Sequence, residues 1–342
     1  MNLIRQKEFL SCIICGAAGE KLYQGIPDRC HSTAGTFNFR KCASCGLLWL
    51  DPMPVEEDLA KCYDDFFIPR DVPFSRSGSG IACFSKFKGD LKRNIVYAHY
   101  GYSHFIKNKV SWFLSFILGH SPLLLSRAEY GINGFVPFYR PGKKGLIIDV
   151  GCGAGDYLAF VREMGWQVMG IEPSPEGAAL ARKKGLNIFE GVLSGAKIPE
   201  SSAEYITLNH VIEHDLHPFS DIEECFRILK PGGKLIMRTP NVRSFGHELF
   251  GADHYPLDPP RHLFLFSPES MRRLLERSRF REFKITTRTT SSRTVYDNNI
   301  VIKKTGGTKR TGIAPQKGRL WFAFRESFFW HLNNNCGEEL EA

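Results

Sequence analysis

From Lys143 onward the apolar and polar positions switch repeatedly between two periods. GLIIDV is a short buried run, DYLAFVREMG has helical spacing, QVMGIE reads as a strand, PEGAALARKKG as a helix closed by a glycine, and LNIFEG as a strand again. AEYITL continues as a strand, and DIEECFRILKPGG as a helix stopped by Pro-Gly-Gly. KLIMRTP is a strand, SPESMRRLLERSRF a helix opening on a Ser267/Ser270 capping box, and EFKITTRT a strand. Strands separated by helices of this length imply crossover connections and a mostly parallel sheet covered on both faces. The pattern predicts a doubly wound α/β domain over residues 141–290, with ligands beyond the carboxyl ends of its strands.

The flanking regions read differently. Residues 1–55 are punctuated by cysteines and end in the turn-rich LDPMP; 56–140 form a linker or helical insertion, with a flexible SRSGSG stretch at 75–80. Residues 291–342 form an extension that completes or covers the domain. Within it, RLWFAFRESFFWHL (319–332) is an amphipathic helix suited either to the core surface or to a membrane interface, and GEEL is a candidate last, antiparallel strand.

Composition narrows the partners. The 342 residues are 43% hydrophobic, enough for a substantial core, and carry a formal charge of +9. Between Arg70 and Gly145 twelve Lys or Arg stand against three acids, among aromatics such as Tyr97, Tyr102, Phe105, Trp112, Phe113 and Phe116. Such a segment fits either an anionic partner (lipid headgroup, phosphorylated substrate or nucleic acid) or a solvated helical surface packed by its aromatics. The apolar stretch Val110 to Leu125 is interrupted by Ser111, Ser115, Gly119, His120 and Pro122, short of a membrane span. MNLIRQKEFLSCIICG lacks a secretory pattern, which predicts a cytoplasmic protein, with peripheral contact at the inner face of the membrane as an option. In a reducing compartment paired cysteines bind metal more often than they form disulfides.

The strongest chemical signal is LIIDVGCGAGDYL. A buried strand delivers Asp149 to its end, and Gly151, Gly153 and Gly155 let the backbone turn beside a ligand before a helix begins. The spacing G-x-G-x-G differs from the G-x-G-x-x-G that seats a pyrophosphate, so the expected ligand is a nucleoside without a diphosphate. The second strand ends at Glu172, where an acid can accept from both ribose hydroxyls. With RILKPGGKLIMRTPN at 227–241, this order of motifs resembles the class I methyltransferases that use S-adenosylmethionine. The resemblance implies a Rossmann-like sheet in which Asp149, Gly151, Cys152 and Gly153 hold the methionine end and ribose, Glu172 the ribose, and Val192 and Leu193 flank adenine. The stretch Gly191-Val192-Leu193-Ser194 lacks the acid that many relatives place beside adenine, which leaves that contact to backbone groups.

Cys12-x2-Cys15 and Cys42-x2-Cys45 are two knuckles, closed by Gly16 and Gly46, that can direct four thiolates at one tetrahedral zinc. Cys30 and His31 lie between them and are surplus to a closed four-sulfur site. RKCASCGLLWLDPMP resembles the zinc-ribbon leader found before many bacterial methyltransferase domains, including sugar C-methyltransferases.

NHVIEHDLHP (209–218) contains a literal H-x-x-E-H, His210 to His214, as in inverted zinc proteases. The fourth strand, however, ends at Asn209 and His210, on the rim where the resemblance puts the transferred methyl group, so the helix that a protease needs is not expected. The segment also resembles the E-x-x-E-H of quinone-pathway O-methyltransferases, which hold a divalent ion; Glu213 and His214 match, and His210 replaces the first glutamate. In sugar C-methyltransferases a histidine here acts as a base. His214 is therefore read as proton acceptor, metal ligand or helix-capping residue, with His210, Glu213 and His262 as further catalytic candidates, and Arg261 as a holder of an anionic substrate group.

The resulting expectation is an α/β methyltransferase with an N-terminal zinc ribbon and a helical insertion, acting on an oxygen or carbon of a small or lipid-linked acceptor: a glycan, nucleotide sugar or quinone-like phenol. The alternatives are a zinc-ribbon nucleic-acid-binding protein with a vestigial cofactor fold and an H-x-x-E-H metallohydrolase.

Overall fold

The computed structural model describes residues 4–31, 33–63, 82–129, 135–139, 141–142, 145–308 and 313–342; the Ser/Gly stretch at 75–80 lies outside them. Along the chain, β1 (Gln6–Lys7), β2 (Gly19–Pro27), β3 (Thr36–Cys42), β4 (Leu48–Leu50) and β5 (Met53–Pro54) precede three helices, α1 (Ala82–His99), α2 (Lys109–Gly119) and α3 (Pro122–Glu129). Alternation then begins: β6 (Leu146–Val150), α4 (Asp156–Glu163), β7 (Gln167–Glu172), α5 (Pro175–Lys183), β8 (Ile188–Glu190), β9 (Ala203–Asn209), α6 (Pro218–Ile228) and β10 (Leu229–Pro240). The remainder is α7 (Phe245–Phe250), β11 (Phe264–Leu265), α8 (Pro268–Glu276), β12 (Thr286–Arg288), α9 (Ser292–Thr305), α10 (Arg319–Leu332) and β13 (Glu339–Glu341). The chain divides into two compact units: Ile68–Thr207 with Ile228–Lys234, and Met1–Phe67 with Leu208–Arg227 and Leu235–Ala342.

The central sheet is mostly parallel. In the unit built on 68–207 its order is β9–β6–β7–β8, with β6, β7 and β8 parallel and paired Leu146 to Gln167 and Gly170 to Ile188. The order reverses between β6 and β9, which makes that crevice the switch point of a doubly wound fold. The helical insertion is tied down within the same unit: Trp166 Nε1 donates to the Tyr102 hydroxyl (2.8 Å), which donates to the Pro137 carbonyl (3.0 Å).

In the other unit β13 lies antiparallel between β10 and β12, as expected for a strand at the end of the chain. Its second sheet has the order β11–β4–β3–β2, all antiparallel. The cysteine-rich ribbon thus takes its fourth strand from Phe264–Leu265. Phe37, Phe39, Leu48, Trp49 and Leu50 are buried in it, and Trp49 Nε1 donates to the Phe9 carbonyl (2.7 Å). Gly19 makes room for that indole, since a Cβ there would stand 2.2 Å from Trp49 Cη2.

Three elements depart from the expected spans. The helix before Pro-Gly-Gly ends at Ile228, and Pro231, Gly232 and Gly233 belong to β10, with Gly232 at φ +77°. Of EFKITTRT only Thr286–Arg288 pairs. A 14-residue helix, α9, was invisible because Asp297, Asn298 and Asn299 occupy buried positions where the periodicity needs apolar residues. α8 opens on the expected Ser267/Ser270 capping box.

Candidate active site

Asp149 is buried near the end of β6, where its carboxylate accepts from Thr207 Oγ1 (2.6 Å) on β9. The loop that follows has positive φ at Gly151 (+68°), Gly153 (+53°) and Gly155 (+76°), the left-handed region that glycine reaches without strain. Gly151 and Cys152 donate backbone N–H groups to Ile171 O (2.8 and 3.1 Å), which binds the loop to β7. Gly155 is also sterically required, because a Cβ would lie 2.4 Å from Leu186 Cδ1 and 2.9 Å from Ala181 Cβ. Glu172 spans this loop and the next: Oε2 accepts from Gly153 N (2.6 Å) and Oε1 from Ser174 N (2.9 Å).

Electrostatics reinforce the reading of this corner as a ligand site. Burial pushes Asp149 up to about 7, with Thr207 opposing and the charge of Glu172 adding; burial likewise raises Glu172 despite the two N–H groups. Two under-compensated carboxyls beside an open glycine turn suit a ligand that brings positive charge and hydroxyl donors. Among the described residues, no side chain lies within 4 Å of where a Gly153 Cβ would be. The ammonium, sulfonium and ribose of S-adenosylmethionine fit that donor set. Of the two residues expected beside adenine, Val192 is exposed and Leu193 is buried in the core.

In the other unit, Asn209 ends β9 and His210 turns the chain at φ +57°, its N–H donating to Arg238 O (2.8 Å). A short 3-10 turn, Ile212–His214, follows. The protease-like geometry is therefore absent, because His210 and His214 are not on one regular helix. His210 Nδ1 meets Glu213 Oε1 (3.1 Å) and its Nε2 meets Glu339 Oε1 (3.6 Å). These bonds outweigh the burial that would lower His210 and bring it to about 10, although its side chain is 39% exposed, so solvent screens part of the pairing. Burial would raise Glu213 and Glu339, but His210 carries each down to about 2.

His214 turns the other way. Its Nδ1 lies 2.9 Å from both the Arg261 carbonyl and the Tyr63 hydroxyl, and its ring meets His262 edge-on at 4.7 Å between centroids. His262 Nδ1 contacts Pro256 O (2.6 Å). Burial, with the charge of His262, holds His214 down to about 4. One ligand atom each from Glu213, His214 and His262 lies within 4.8 Å of the others, and Glu213 Oε2 is buried without a hydrogen-bond partner among the described residues.

Arg261, expected to hold a substrate anion, is instead committed to the interior. Its side chain is wholly buried; Nη1 and Nη2 meet Asp28 (2.8 and 2.6 Å), and Nη2 also meets Asp258 (2.8 Å). Asp28, Tyr63 and Glu339 in this unit, and Thr207 beside Asp149 in the other, were unforeseen. Only Thr207, the one polar side chain between Ile206 and Leu208, carried a local signal.

The cysteine site is assembled as the spacing required. Cys12, Cys15, Cys42 and Cys45 bring their sulfurs within 4.8 Å of one another, with Cys12 to Cys45 at 3.5 Å and Cys15 to Cys42 at 3.4 Å. These separations are far beyond an S–S bond and approach the roughly 3.8 Å edge of a tetrahedron with Zn–S bonds of about 2.3 Å. Gly16 N donates to Cys12 O (2.8 Å) and Gly46 N to Cys42 O (3.0 Å), so the two knuckles share one turn geometry. Cys30 is outside the cluster.

Comparison with known proteins decides the nature of the sheet. Residues 125–281 match the family described as "Methyltransferase domain". This part of the chain is a methyltransferase domain. Among curated relatives, the ubiquinone biosynthesis O-methyltransferase of Xanthomonas oryzae pv. oryzae is 32% identical over 124 residues, covering 34% of this chain and 52% of that protein. The enzyme of the same name from Aliivibrio fischeri is 28% identical over 179 residues, 48% and 74% of the respective chains. The chain spans about half the length of the first of these relatives. A solved SAM-dependent methyltransferase from Archaeoglobus fulgidus aligns with a TM-score of 0.40 at 17% identity, over 58% of this chain and 84% of that one. Asp149, the glycine loop and Glu172 all lie within the matched residues.

Proposed function

We propose that the protein transfers the methyl group of S-adenosylmethionine to an oxygen of a small acceptor, with His214 taking the acceptor's proton. The observation that carries this is the contact of His214 Nδ1 with the Arg261 carbonyl. A carbonyl only accepts, so Nδ1 bears the hydrogen and Nε2 keeps its lone pair. Held near 4, His214 is neutral at physiological pH, and the Glu213 carboxylate beside it would stabilise the imidazolium formed on proton uptake. When bound, S-adenosylmethionine supplies a methyl group already activated by its positive sulfur. Asp149 and the Gly151–Gly153 backbone would hold the methionine end, Glu172 the ribose, and the exposed Val192 would flank adenine. The rest of the rate would come from alignment.

A quinone-like phenol is the acceptor favoured here, supported by the relatives named ubiquinone biosynthesis O-methyltransferase. A lipid-linked glycan or nucleotide sugar, methylated at oxygen or carbon, is the alternative. Zinc on the four cysteines would be structural. A second reading gives Glu213, His214 and His262 to a divalent cation that binds the acceptor's oxygen, favoured by the buried, unpartnered Glu213 Oε2.

Calorimetry with S-adenosylmethionine, followed by mass spectrometry of phenolic and glycan acceptors incubated with the protein, tests the proposal. Absence of binding by the wild-type protein overturns it. Loss of methyl transfer in His214→Ala with cofactor binding retained supports the base. Metal analysis separates the second reading, which requires an ion that survives Cys12→Ser/Cys42→Ser and disappears in Glu213→Gln/His262→Ala.

A further inference from the structure

Helix α2 is built inside out for a helix of a water-soluble domain. Its buried residues are small: Ser115 and Gly119, one turn apart, face α1, and a Cβ on Gly119 would stand 3.4 Å from both His99 Cβ and the Ile95 carbonyl. The large side chains point away. Val110, Trp112, Phe113, Leu114, Phe116 and Ile117 are between 36% and 65% exposed, and the rings of Trp112 and Phe116 stack at 5.4 Å. Six consecutive-turn apolar side chains on one short helix form a continuous patch, not the scattered exposure that any surface has.

Charge indicates what covers it. Exposed Lys107 and Lys109 sit at the N-terminal end of α2, where the helix dipole disfavours cations. Residues 91–128 contain five Lys or Arg and no Asp or Glu. A symmetric pairing of this face with a second copy would bring together only like charges. At 11 residues α2 is about 16 Å long, too short to cross a hydrocarbon core of about 30 Å, and no described helix is long and apolar enough to do so.

We propose that α2 is a membrane-docking element that lies in the plane of an anionic bilayer, with Phe113, Leu114, Ile117 and Trp112 inserted among the acyl chains and Lys107 and Lys109 against the lipid phosphates. The lysine stems are long enough to keep the ammonium groups at headgroup level while the aromatics sink below it. This surface is independent of the proposed methyl transfer and stands whether or not that reading survives.

The test is co-sedimentation of the full chain with phosphatidylglycerol/phosphatidylcholine vesicles and with pure phosphatidylcholine vesicles. The wild-type protein is expected to sediment with the former. Phe113→Ser/Ile117→Ser should weaken binding by at least roughly tenfold. Lys107→Gln/Lys109→Gln should cost roughly fivefold per lysine on anionic vesicles only. The changed positions are exposed, so unchanged melting temperatures are expected. Quenching of tryptophan fluorescence by brominated lipid, reduced in Trp112→Phe, provides a readout that does not depend on the serine variant. No sedimentation with anionic vesicles, equal binding by wild type and Phe113→Ser/Ile117→Ser, or a wild-type dimer that dissociates in that variant would each overturn the proposal.

Discussion

Asp28→Asn removes one charge from a buried trio while barely changing its shape. In the folded protein Arg261 faces Asp28 through two bonds of 2.8 and 2.6 Å and Asp258 through bonds of 2.8 and 3.3 Å, with no solvent reaching the guanidinium. Taking one partner from a buried ion pair costs about 3–5 kcal/mol, because the remaining charge stays desolvated. Asp258 still neutralises Arg261, and the asparagine oxygen keeps one of the two hydrogen bonds, so the lower end of that range, about 3 kcal/mol, is expected. At about 2–4 °C per kcal/mol this is a fall in melting temperature on the order of 6–12 °C. Differential scanning fluorimetry and urea unfolding measure it, and Arg261→Met with the double variant Asp28→Asn/Arg261→Met closes a cycle that should show coupling above about 1.5 kcal/mol. The pH dependence has a defined sign. Arg261 and the backbone N–H groups outweigh burial and hold Asp28 down to about 2, so its contribution is complete above about 3.8 and is lost as pH falls through about 2, and Asp28→Asn should flatten that part of the acid limb. A melting temperature within 2 °C of wild type, or strictly additive variants, would refute the reasoning.

Asp149→Ala and Glu172→Ala should each weaken S-adenosylmethionine binding at least roughly tenfold by calorimetry, with Glu172→Ala also loosening the Gly153 and Ser174 turns, visible as faster amide exchange there. His210→Ala should remove stability whose pH window is bounded on both sides. His210, raised to about 10, contributes fully below about 6.5 and loses this as pH rises through 10; Glu213 and Glu339, lowered to about 2, contribute above about 4.5 and lose it as pH falls through 2. The difference between wild type and variant in urea midpoint should therefore be greatest between about 4.5 and 6.5. Gly155→Ala should destabilise by about 2–3 kcal/mol in urea titration, since the methyl group meets Leu186 and Ala181 at a left-handed φ. Chelation of zinc, or Cys42→Ser, should lower the melting temperature of the unit holding the ribbon, as followed by Trp49 fluorescence.

The sheet from 146 to 240 was legible because its strands are buried runs and its helices carry the 3.6 period, both of which are local signals. Asp149 and the four cysteines were legible because each lies a few residues from a glycine turn that announces it, and Glu172 because it ends the second strand. The histidine cluster was only half legible. The end of the fourth strand at Asn209 was legible, but not that His210 is itself left-handed, that His214 closes a 3-10 turn, or that the two serve different partners. Those partners, Glu339 for one and Tyr63 for the other, come from distant positions with no periodicity linking them. Arg261 was read as the holder of a substrate anion because a guanidinium suits bidentate pairing; its two acids are internal instead, and one of them is 233 residues away.

That separation has a consequence for how the protein is made. Strands β2 to β4 leave the ribosome with one edge exposed, and Asp28 emerges without its guanidinium, until β11 and Arg261 have been synthesised. At about 5–20 residues per second the wait for more than two hundred further residues is on the order of 10–40 s. During that interval Leu48 and Trp49 present an unpaired hydrophobic strand, the kind of surface on which chaperones act and nascent chains cross-associate. The ribbon is therefore begun at its cysteines and completed only once Phe264 and Leu265 have been made.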